Sequence, residues 1–297
     1  MWLWEKTHHI IADYLRLLVE KNWSISDGDV VTIQESMKTT MQQEFQSAKN
    51  RQYSRYDKDN KFWFKEFCYG DDISDQLEDG IARVLWNLDA LRASDLHDTL
   101  LHYADSGYKR YIESNESDFE QMKLVLDYHP ILQDVTIWAG PDFGVTATDN
   151  TYYIYDRKSG TEKDIPQDII TDQLKIYAYK LLCNTNRTLE NTTIYTYEVY
   201  LPSMYMIGGK VTQTDIDHIK QKVIDDVHEL QTLVVDRNIK NNIPEHVDSF
   251  QRTADSAKCR LCSMRRVCAA LKKIDGDNHP NPILDTLAGE LDSGRLF

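Results

Sequence analysis

Two acidic residues beside strand-like segments constrain this chain more than any other feature. Asp142 follows the segment 135–138, and Asp156 ends the segment 152–156, two residues before Lys158. Both segments are rich in the β-branched and aromatic residues that strands favour. Because side chains two positions apart on a strand point to the same face, the carboxylate of Asp156 and the amine of Lys158 are predicted to lie side by side. The middle of the chain is therefore predicted to be a sheet that carries a polar site.

The first part of the chain has the apolar spacing of helices rather than strands. Ser74 is expected to cap one helix, ahead of its stripe of Leu, Ile and Val residues. The helices of this part are predicted over 7–21, 30–49, 74–91 and 94–103. Residues 1–120 are therefore predicted to be a helical N-terminal region.

The pattern changes to strands near residue 120. Strands are predicted over 122–128, 135–138, 152–156 and 193–201, and helices over 167–183 and 214–235. The turn residues Asp149 and Asn150 are expected to join the second and third strands as a hairpin. The first of the two helices is expected to cross over to the fourth strand. The prediction is a small mixed sheet with a crossover helix at 121–210, followed by a C-terminal region at 211–297.

The polar residues of the predicted sheet are those that metal-dependent cleavage of a phosphodiester needs. Asp142 and Asp156 could both reach one divalent cation, and the backbone carbonyl of Arg157 could supply a third oxygen ligand. The amine of Lys158 could hold the attacking water or stabilise the transition state. An Asp-x-Lys pair alone is more often an exposed ion pair. The prediction of catalysis therefore depends on the combination of these residues.

The helix that follows completes the combination. Gln173 and Tyr177 are one helical turn apart and can hydrogen-bond to phosphate, water or the lysine. The whole set resembles the PD-(D/E)XK nuclease superfamily in its RecB-like branch. Pro141-Asp142 matches "PD", Asp156-Arg157-Lys158 matches "(D/E)XK", and 172–178 matches the branch's helix with Gln-Leu and Tyr-Ala.

This resemblance implies a fold and a set of roles. The fold would be α/β, with a restriction-endonuclease-like core (a small mixed sheet flanked by helices), a helical N-terminal region and a cysteine-bearing C-terminal region. In that family two acids bind Mg²⁺ or Mn²⁺, the lysine is catalytic, and the Gln and Tyr assist at the DNA phosphate. The residues at the matching positions are Asp142, Asp156, Lys158, Gln173 and Tyr177.

The same branch has an upstream helix whose His joins the metal ligands. The run from Trp4 to Tyr14 resembles that helix, and its apolar positions align better with His8 than with His9. Thr and Lys stand before His8, where the family usually has Gly. The resemblance implies a metal role for His8, and a solvated surface position for this His pair is the alternative.

Three of the cysteines lie close together near the C-terminus, as Cys259, Cys262 and Cys268. Clustered cysteines in an intracellular chain are usually metal ligands rather than disulfides. Both a [4Fe–4S] cluster and structural zinc take four ligands, and the spacing alone does not separate them. The spacing resembles that of RecB-like nucleases of the AddB and CRISPR-associated type, which implies a [4Fe–4S] cluster.

The fourth ligand of this cysteine group is open. The family's fourth Cys lies far upstream, and Cys68 is the candidate here, although it follows the helix of His8 instead of preceding it. A zinc site completed by His246 or His279 and a degenerate site are the alternatives. Cys183 is expected to pack in the core. The basic residues near the cysteines form either a phosphate-binding rim or a solvated face; they are Lys258, Arg260, Arg265 and Arg266.

Charge and composition narrow the function further. The net charge of −14 argues against tight non-specific binding to DNA but leaves room for a local basic groove. No apolar run is long enough to cross a membrane, and the N-terminus lacks a secretion signal. We therefore expect an intracellular, cytoplasmic protein without membrane contact. No phosphate-binding Gly-x4-Gly-Lys-Ser/Thr loop is present, so any unwinding is expected to come from a helicase or recombination partner.

Together, these features predict a Mg²⁺- or Mn²⁺-dependent DNA exonuclease. The resemblance implies substrates that are single-stranded or have free ends, in repair, recombination, phage DNA metabolism or CRISPR adaptation. A non-catalytic DNA-binding or assembly subunit that keeps the fold is the alternative, and a redox-sensing iron–sulfur protein is a third reading. The complete set of matching residues argues against the subunit, and the shifted position of the candidate fourth cysteine, Cys68, argues against the redox-sensing protein.

Overall fold

The computed structural model of the chain describes residues 2–50, 64, 66–67, 72–105, 109–112, 123–126, 128–133, 135–146, 150–160, 166–241, 243–246, 255–262, 265–275 and 285–286. The chain falls into two compact units, Met1–His228 and Glu229–Phe297. The first unit combines helices with a mixed sheet, in agreement with the α/β prediction.

The helices of the first unit are α1 Trp2–Glu20, α2 Asp27–Lys49, α3 Leu77–Arg92, α4 Asp95–Asp105, α5 Asp172–Thr185 and α6 Gln213–Thr232, the last of which ends in the second unit. The strands are β1 Lys109–Ile112, β2 Lys123–Val125, β3 Thr136–Trp138, β4 Phe143–Thr146, β5 Thr151–Lys158, β6 Thr193–Tyr200 and β7 Tyr205–Lys210. Short 3₁₀ helices cover Ser74–Gln76 and Pro130–Leu132.

The first two helices start earlier than the apolar spacing predicts. In α1, the indole of Trp2 donates a hydrogen bond to Glu44 over 2.7 Å and packs against Phe45, both on α2. These contacts extend α1 towards the N-terminus. In α2, the side chain of Ser26 accepts from the N–H of Asp29, whose carboxylate accepts in turn from the N–H of Ser26. This capping box starts the helix before its first apolar residue.

The prediction that Ser74 caps α3 is wrong. Ser74 lies inside the 3₁₀ helix, and its hydroxyl and N–H both donate to Asp72. The helix itself begins at Leu77, after Gln76, which makes no side-chain cap. The acceptor side of the Ser74 hydroxyl is used by the ammonium of Lys49, which donates to it over 2.6 Å, and not by an N–H group of the helix.

A five-stranded mixed sheet, in the order β1-β4-β5-β6-β7, forms the centre of the first unit. β5 and β6 are parallel, and every other neighbouring pair in this sheet is antiparallel. Parallel strands need a long crossover connection, and α5 lies between β5 and β6 in the chain. This confirms the predicted mixed sheet with a crossover helix.

The predicted hairpin has the wrong partner strand. β3 pairs with β2 in a separate two-stranded sheet, and the antiparallel partner of β5 is β4. The sequence analysis missed β4 because Phe143–Thr146 is short and contains a glycine, features that weaken a strand pattern. Asn150, which precedes β5, is left-handed with a φ of 67°, while Asp149 lies outside the described residues.

Helices cover the two faces of the five-stranded sheet. On one face Tyr155 and Val199 belong to a core shared with Ile11 of α1 and Leu88 of α3. On the other face Tyr152, Ile154 and Ile194 pack with Leu174 and Ala178 of α5. Full burial of one such aliphatic side chain stabilises the fold by about 1.5–3 kcal/mol. Because β5 alternates its faces, Asp156 and Lys158 lie on the α5 side.

The second unit contains short elements. They are α7 Ser256–Leu261, α8 Arg265–Asp275, and the 3₁₀ helices Val235–Arg237 and Ile239–Asn241. Asp255 caps α7, because its carboxylate accepts from the N–H groups of Ala257 and Lys258. Among the described helices of the chain, none is both long and apolar enough to cross a membrane.

Candidate active site

Asp142 is buried directly before β4, next to the strand that carries Asp156. Its Oδ2 accepts the backbone N–H of Arg157 over 2.7 Å, and the guanidinium Nε of Arg157 is 3.5 Å away. Its Oδ1 lies 3.2 Å from Nδ1 of His8. Burial alone would raise the pKa of Asp142, but the interactions with His8 and Arg157 hold it below its usual range. Asp142 is therefore a fixed, ionised carboxylate.

α1 brings His8, and not His9, to this carboxylate. The ring of His8 is buried, and its Nε2 has no hydrogen-bond partner among the described residues. One turn earlier on the same face, the indole of Trp4 packs on the His8 ring, with 4.2 Å between ring centroids. His9 is 52% exposed and lies 3.9 Å from Glu5. His8 is thus the one of the pair placed for a role at the site.

Asp156 and Lys158 lie side by side on β5, as the strand alternation predicted. The ammonium of Lys158 contacts Oδ2 of Asp156. Oδ1 of Asp156 accepts from Nε2 of Gln173 over 3.2 Å and from the hydroxyl of Tyr177 over 3.3 Å. Burial and the negative charge of Asp142 raise the pKa of Asp156, against the opposing effect of Lys158. The two carboxylates therefore sit in different electrostatic environments.

α5 supplies the side chains that complete the network. Gln173 accepts a hydrogen bond from the ammonium of Lys158 over 2.6 Å and donates to the hydroxyl of Tyr177 over 2.7 Å. Burial and the charge of Asp156 raise the pKa of Tyr177 above its usual value, so the phenol stays protonated and can donate to Asp156. The structure thus brings together Asp156, Lys158, Gln173 and Tyr177.

Glu198 is a member of the site that the sequence analysis missed. It lies on β6 in register with Asp156, and only 3% of it is exposed. It accepts hydrogen bonds from the hydroxyls of Thr171 (2.9 Å) and Tyr200 (2.7 Å). Its Oε1 is 3.9 Å from the ammonium of Lys158. The available signal was a single glutamate inside the apolar and aromatic run of β6, a residue that is almost never buried without a partner.

The side chains of the site can be compared with the ligands that a divalent cation requires. In the part of the chain that the structure describes, no group of three or more His, Cys, Asp or Glu side chains has the spacing of a metal cage. Mg²⁺ does not require one, because it keeps several waters and binds through one or two carboxylates. Asp142 and Asp156 offer such carboxylates, and the buried Nε2 of His8 has no hydrogen-bond partner among the described residues. The residues present therefore fit a hydrated divalent cation.

The cysteine group belongs to the second unit. Cys259 is buried on α7, the N–H of Cys262 donates to the carbonyl of Cys259 over 3.2 Å, and Cys268 is half-buried on α8. Cys68 and His279 lie outside the described residues, so neither is located as a fourth ligand. Lys258 is exposed, and the side chains of the neighbouring arginines are not described. Cys183 is exposed near the end of α5, so its predicted core position is wrong.

Comparison with known proteins gives one match. The sequence model of the PD-(D/E)XK nuclease superfamily matches residues 51–269. The match starts after α1, so the helix that carries His8 lies outside it. Neither the curated proteins nor the solved structures yield a significant match. The family match covers well over half of the chain and includes all of the five-stranded sheet. This chain therefore belongs to the PD-(D/E)XK nuclease superfamily, with a restriction-endonuclease-like α/β core and the nuclease activity that this membership implies.

Proposed function

We propose that this protein is a Mg²⁺- or Mn²⁺-dependent exonuclease of the RecB-like branch that acts on DNA that is single-stranded or has free ends. One observation carries the proposal: Asp142, Asp156 and Lys158 converge at neighbouring strands, and Gln173 and Tyr177 hydrogen-bond to the same cluster. An exposed ion pair would not need two further side chains from a helix to fix it.

The proposed roles follow from the positions of the oxygens and of the amine. Asp142 and Asp156 would hold the divalent cation, with His8 and the carbonyl of Arg157 as further ligands. A divalent cation bound there would supply water activation and charge neutralisation at the phosphate. Lys158 faces the same space with a positive charge and stabilises the charge that develops on the reacting phosphate. The N–H of Arg157 fixes Asp142 over 2.7 Å, which keeps this ligand oriented.

Gln173 and Tyr177 orient the reacting groups. Gln173 bridges Lys158 and Asp156, and Tyr177 donates to Asp156. In this proposal, the polar atoms of both side chains also contact the DNA phosphate, which is the role that Gln and Tyr have in the family. A site of this kind works only if its side chains hold their geometry within a fraction of an ångström. The network supplies that rigidity.

An exposed aromatic ring beside the cluster supports a single-stranded substrate. The side chain of Trp4 is 48% exposed, and its ring packs against the ring of His8. An indole stacks on any nucleobase, but only if the base is not already stacked inside a duplex. A strand that runs past Asp142 can therefore lay one unpaired base on Trp4. A helicase or recombination protein that produces such strands is the partner we propose.

The cysteines are proposed to hold a second metal centre. Cys259, Cys262 and Cys268 bind a [4Fe–4S] cluster, and zinc is the alternative. Support comes from the spacing of the three cysteines and from the burial of Cys259. Iron, acid-labile sulfide and zinc contents of anaerobically purified protein distinguish the two metals.

Cleavage of end-labelled DNA tests the proposal. Wild-type protein is incubated with single- and double-stranded DNA, labelled at either end, in Mg²⁺, Mn²⁺ or EDTA. We expect metal-dependent release of short products, with a polarity shown by which label is lost first. Asp156→Asn and Lys158→Ala should each lower the rate by at least about 100-fold, as loss of an electrostatic catalytic group does.

Asp168→Asn is the matched control, because Asp168 is exposed and lies outside the cluster. It should cut as the wild type does. Retained cutting by Asp156→Asn or Lys158→Ala in a clean preparation would contradict the roles. Binding of DNA without any cutting by folded wild-type protein would instead favour a binding subunit.

A further inference from the structure

We propose that Glu198 is a positioning residue that holds the ammonium of Lys158 at the reaction site. This inference rests on the proposed nuclease function, because it concerns the same lysine. It goes beyond the matching motif, which ends on β5 and α5 and does not include β6. Glu198 acts through Lys158 and touches neither metal nor DNA.

The position of Glu198 follows from the parallel pairing of β5 and β6. Asp156 is in register with Glu198, and Lys158 with Tyr200. Side chains that are paired across parallel strands share a face, so the carboxylate of Glu198 lies beside those of the cluster. Its Oε1 is 3.9 Å from the ammonium of Lys158. The lysine therefore has a second anion close by, in addition to Asp156.

Two neutral donors fix the carboxylate itself. Tyr200 donates to Oε2 and Thr171 donates to Oε1. Thr171 is the N-cap residue of α5, yet its side chain makes no cap hydrogen bond. A Thr side chain at this position ordinarily stabilises a helix by accepting from its first N–H groups, but here the hydroxyl is directed to Glu198 instead. The first turn of α5, which carries Gln173, is thereby tied to β6.

A carboxylate at this position needs a reason, because burying a charge destabilises the fold unless the charge is paired. A neutral glutamine could keep both hydroxyl partners, because its oxygen accepts from one hydroxyl and its NH2 group donates to the other. A negative charge differs from an amide mainly in its attraction for Lys158. If the carboxylate of Asp156 also holds a cation, it cannot by itself keep the ammonium of Lys158 in place. Glu198 is then the anion that keeps the ammonium in place, together with the 2.6 Å hydrogen bond from Lys158 to Gln173.

Steady-state kinetics on single-stranded DNA provide the first test. Glu198→Gln keeps the shape and both hydroxyl partners but removes the charge. We expect kcat to fall roughly 10- to 100-fold, as for loss of a residue that orients a catalytic group, with KM unchanged and no decrease of the melting temperature. Glu190→Gln, an exposed glutamate on a loop, should leave kcat unchanged. Wild-type kcat in folded Glu198→Gln would overturn the proposal.

A second readout does not depend on cutting. Limited acetylation with an amine-reactive ester, read by peptide mass spectrometry, reports how tightly each lysine is held. Lys158 should react several-fold faster in Glu198→Gln than in the wild type. Lys175, which pairs with Asp172 and Asp215, is the internal reference and should not change. An unchanged rate at Lys158 would overturn the positioning role.

The two readouts separate this inference from the proposed function. If wild-type protein cuts no DNA, the nuclease proposal fails and the acetylation rates alone decide whether Glu198 holds Lys158. If Glu198→Gln does not fold, Thr171→Val takes its place. This substitution keeps the charge of Glu198 but removes the hydrogen bond from Thr171 to Oε1. A smaller loss of kcat and a smaller rise in Lys158 acetylation are then expected, and wild-type values of both would contradict the proposal.

Discussion

Asp142 and Asp156 are both buried, yet their pKa values move in opposite directions. Asp142 has the backbone N–H of Arg157 and the ring of His8 as partners, which lower its pKa despite burial. Asp156 has its pKa raised by burial and by the charge of Asp142, more than Lys158 lowers it. A carboxylate whose ionised form is disfavoured by the fold gains most from a cation placed beside it. The raised pKa of Asp156 is thus a physical reason for a metal to bind here.

Replacing each acid by its amide in EDTA should change stability in opposite directions. Asp142→Asn should lower the melting temperature near neutral pH, because a lowered pKa means that the ionised form stabilises the fold. Asp156→Asn should raise it, because a raised pKa means that the ionised form destabilises the fold. Thermal unfolding at several pH values measures both effects.

The pH dependence of the two variants follows from the same signs. The stabilisation from Asp142 is present above the usual carboxyl pKa of about 4 and is lost as pH falls through its lowered value. The cost of Asp156 is present above its raised pKa and disappears as pH falls below about 4. Equal melting temperatures of the two variants at neutral pH would contradict the assigned environments.

At the scale of the elements, the site exists because β4, β5, α5 and α1 meet. The β4–β5 pairing brings Asp142 next to Asp156. α5 crosses over between two parallel strands and lays Gln173 and Tyr177 on the same face of the sheet. α1 packs on the other side of the sheet and delivers His8 to Asp142. The N-terminal end of α1 also carries Trp4, so this helix contributes both the buried ring of His8 and the exposed ring of Trp4.

Loss of the exposed ring should weaken the binding of single-stranded DNA. In an Asp156→Asn background, which prevents cutting, Trp4→Ala should reduce affinity by about 1–3 kcal/mol, the value of one base–aromatic stack. Trp4→Phe keeps a ring on His8 and should lose less. Fluorescence anisotropy of labelled oligonucleotides measures the affinity.

Trp86 on α3 provides the matched control, because it is also an exposed tryptophan, at 59%. Trp86→Ala should bind single-stranded DNA as the parent does. An equal loss of affinity in both variants, or none in Trp4→Ala, would contradict a stacking role for Trp4.

At the scale of the whole molecule, all described residues of the candidate active site belong to the first unit, and the cysteine group belongs to the second. The two parts therefore call for separate tests. The division of the chain at residues 120 and 210 stays a prediction. The strong negative charge of the chain argues against a broad basic surface that binds DNA, so the proposed function assigns the contact with DNA to the site itself.

Removal of one cysteine tests whether the second unit holds a structural metal. Cys262→Ser should release iron or zinc and lower the melting temperature by about 10 °C, because metal binding contributes folding free energy. Cys183→Ser, at an exposed cysteine outside the group, should change neither value. An unchanged metal content and melting temperature in Cys262→Ser would exclude a structural metal at these cysteines.

The sequence by itself determined the local parts of this protein. The alternation along β5 placed Asp156 beside Lys158, the helical spacing placed Gln173 one turn from Tyr177, and the crossover helix predicted a mixed sheet. These features depend on residues a few positions apart, whose relative geometry is set by the backbone of one element. The site residues proposed from the motif therefore needed no knowledge of distant contacts.

The tertiary structure alone decided which strands pair and which distant residues reach the site. β4 was too short to be recognised, so β3 was given its place beside β5. Glu198 became visible only when the parallel register set it opposite Asp156. His8 and His9 are neighbours in the chain, and only the packing of α1 buries the first and exposes the second. Strand pairing and helix packing depend on the burial of surfaces that are far apart in sequence, which no local pattern records.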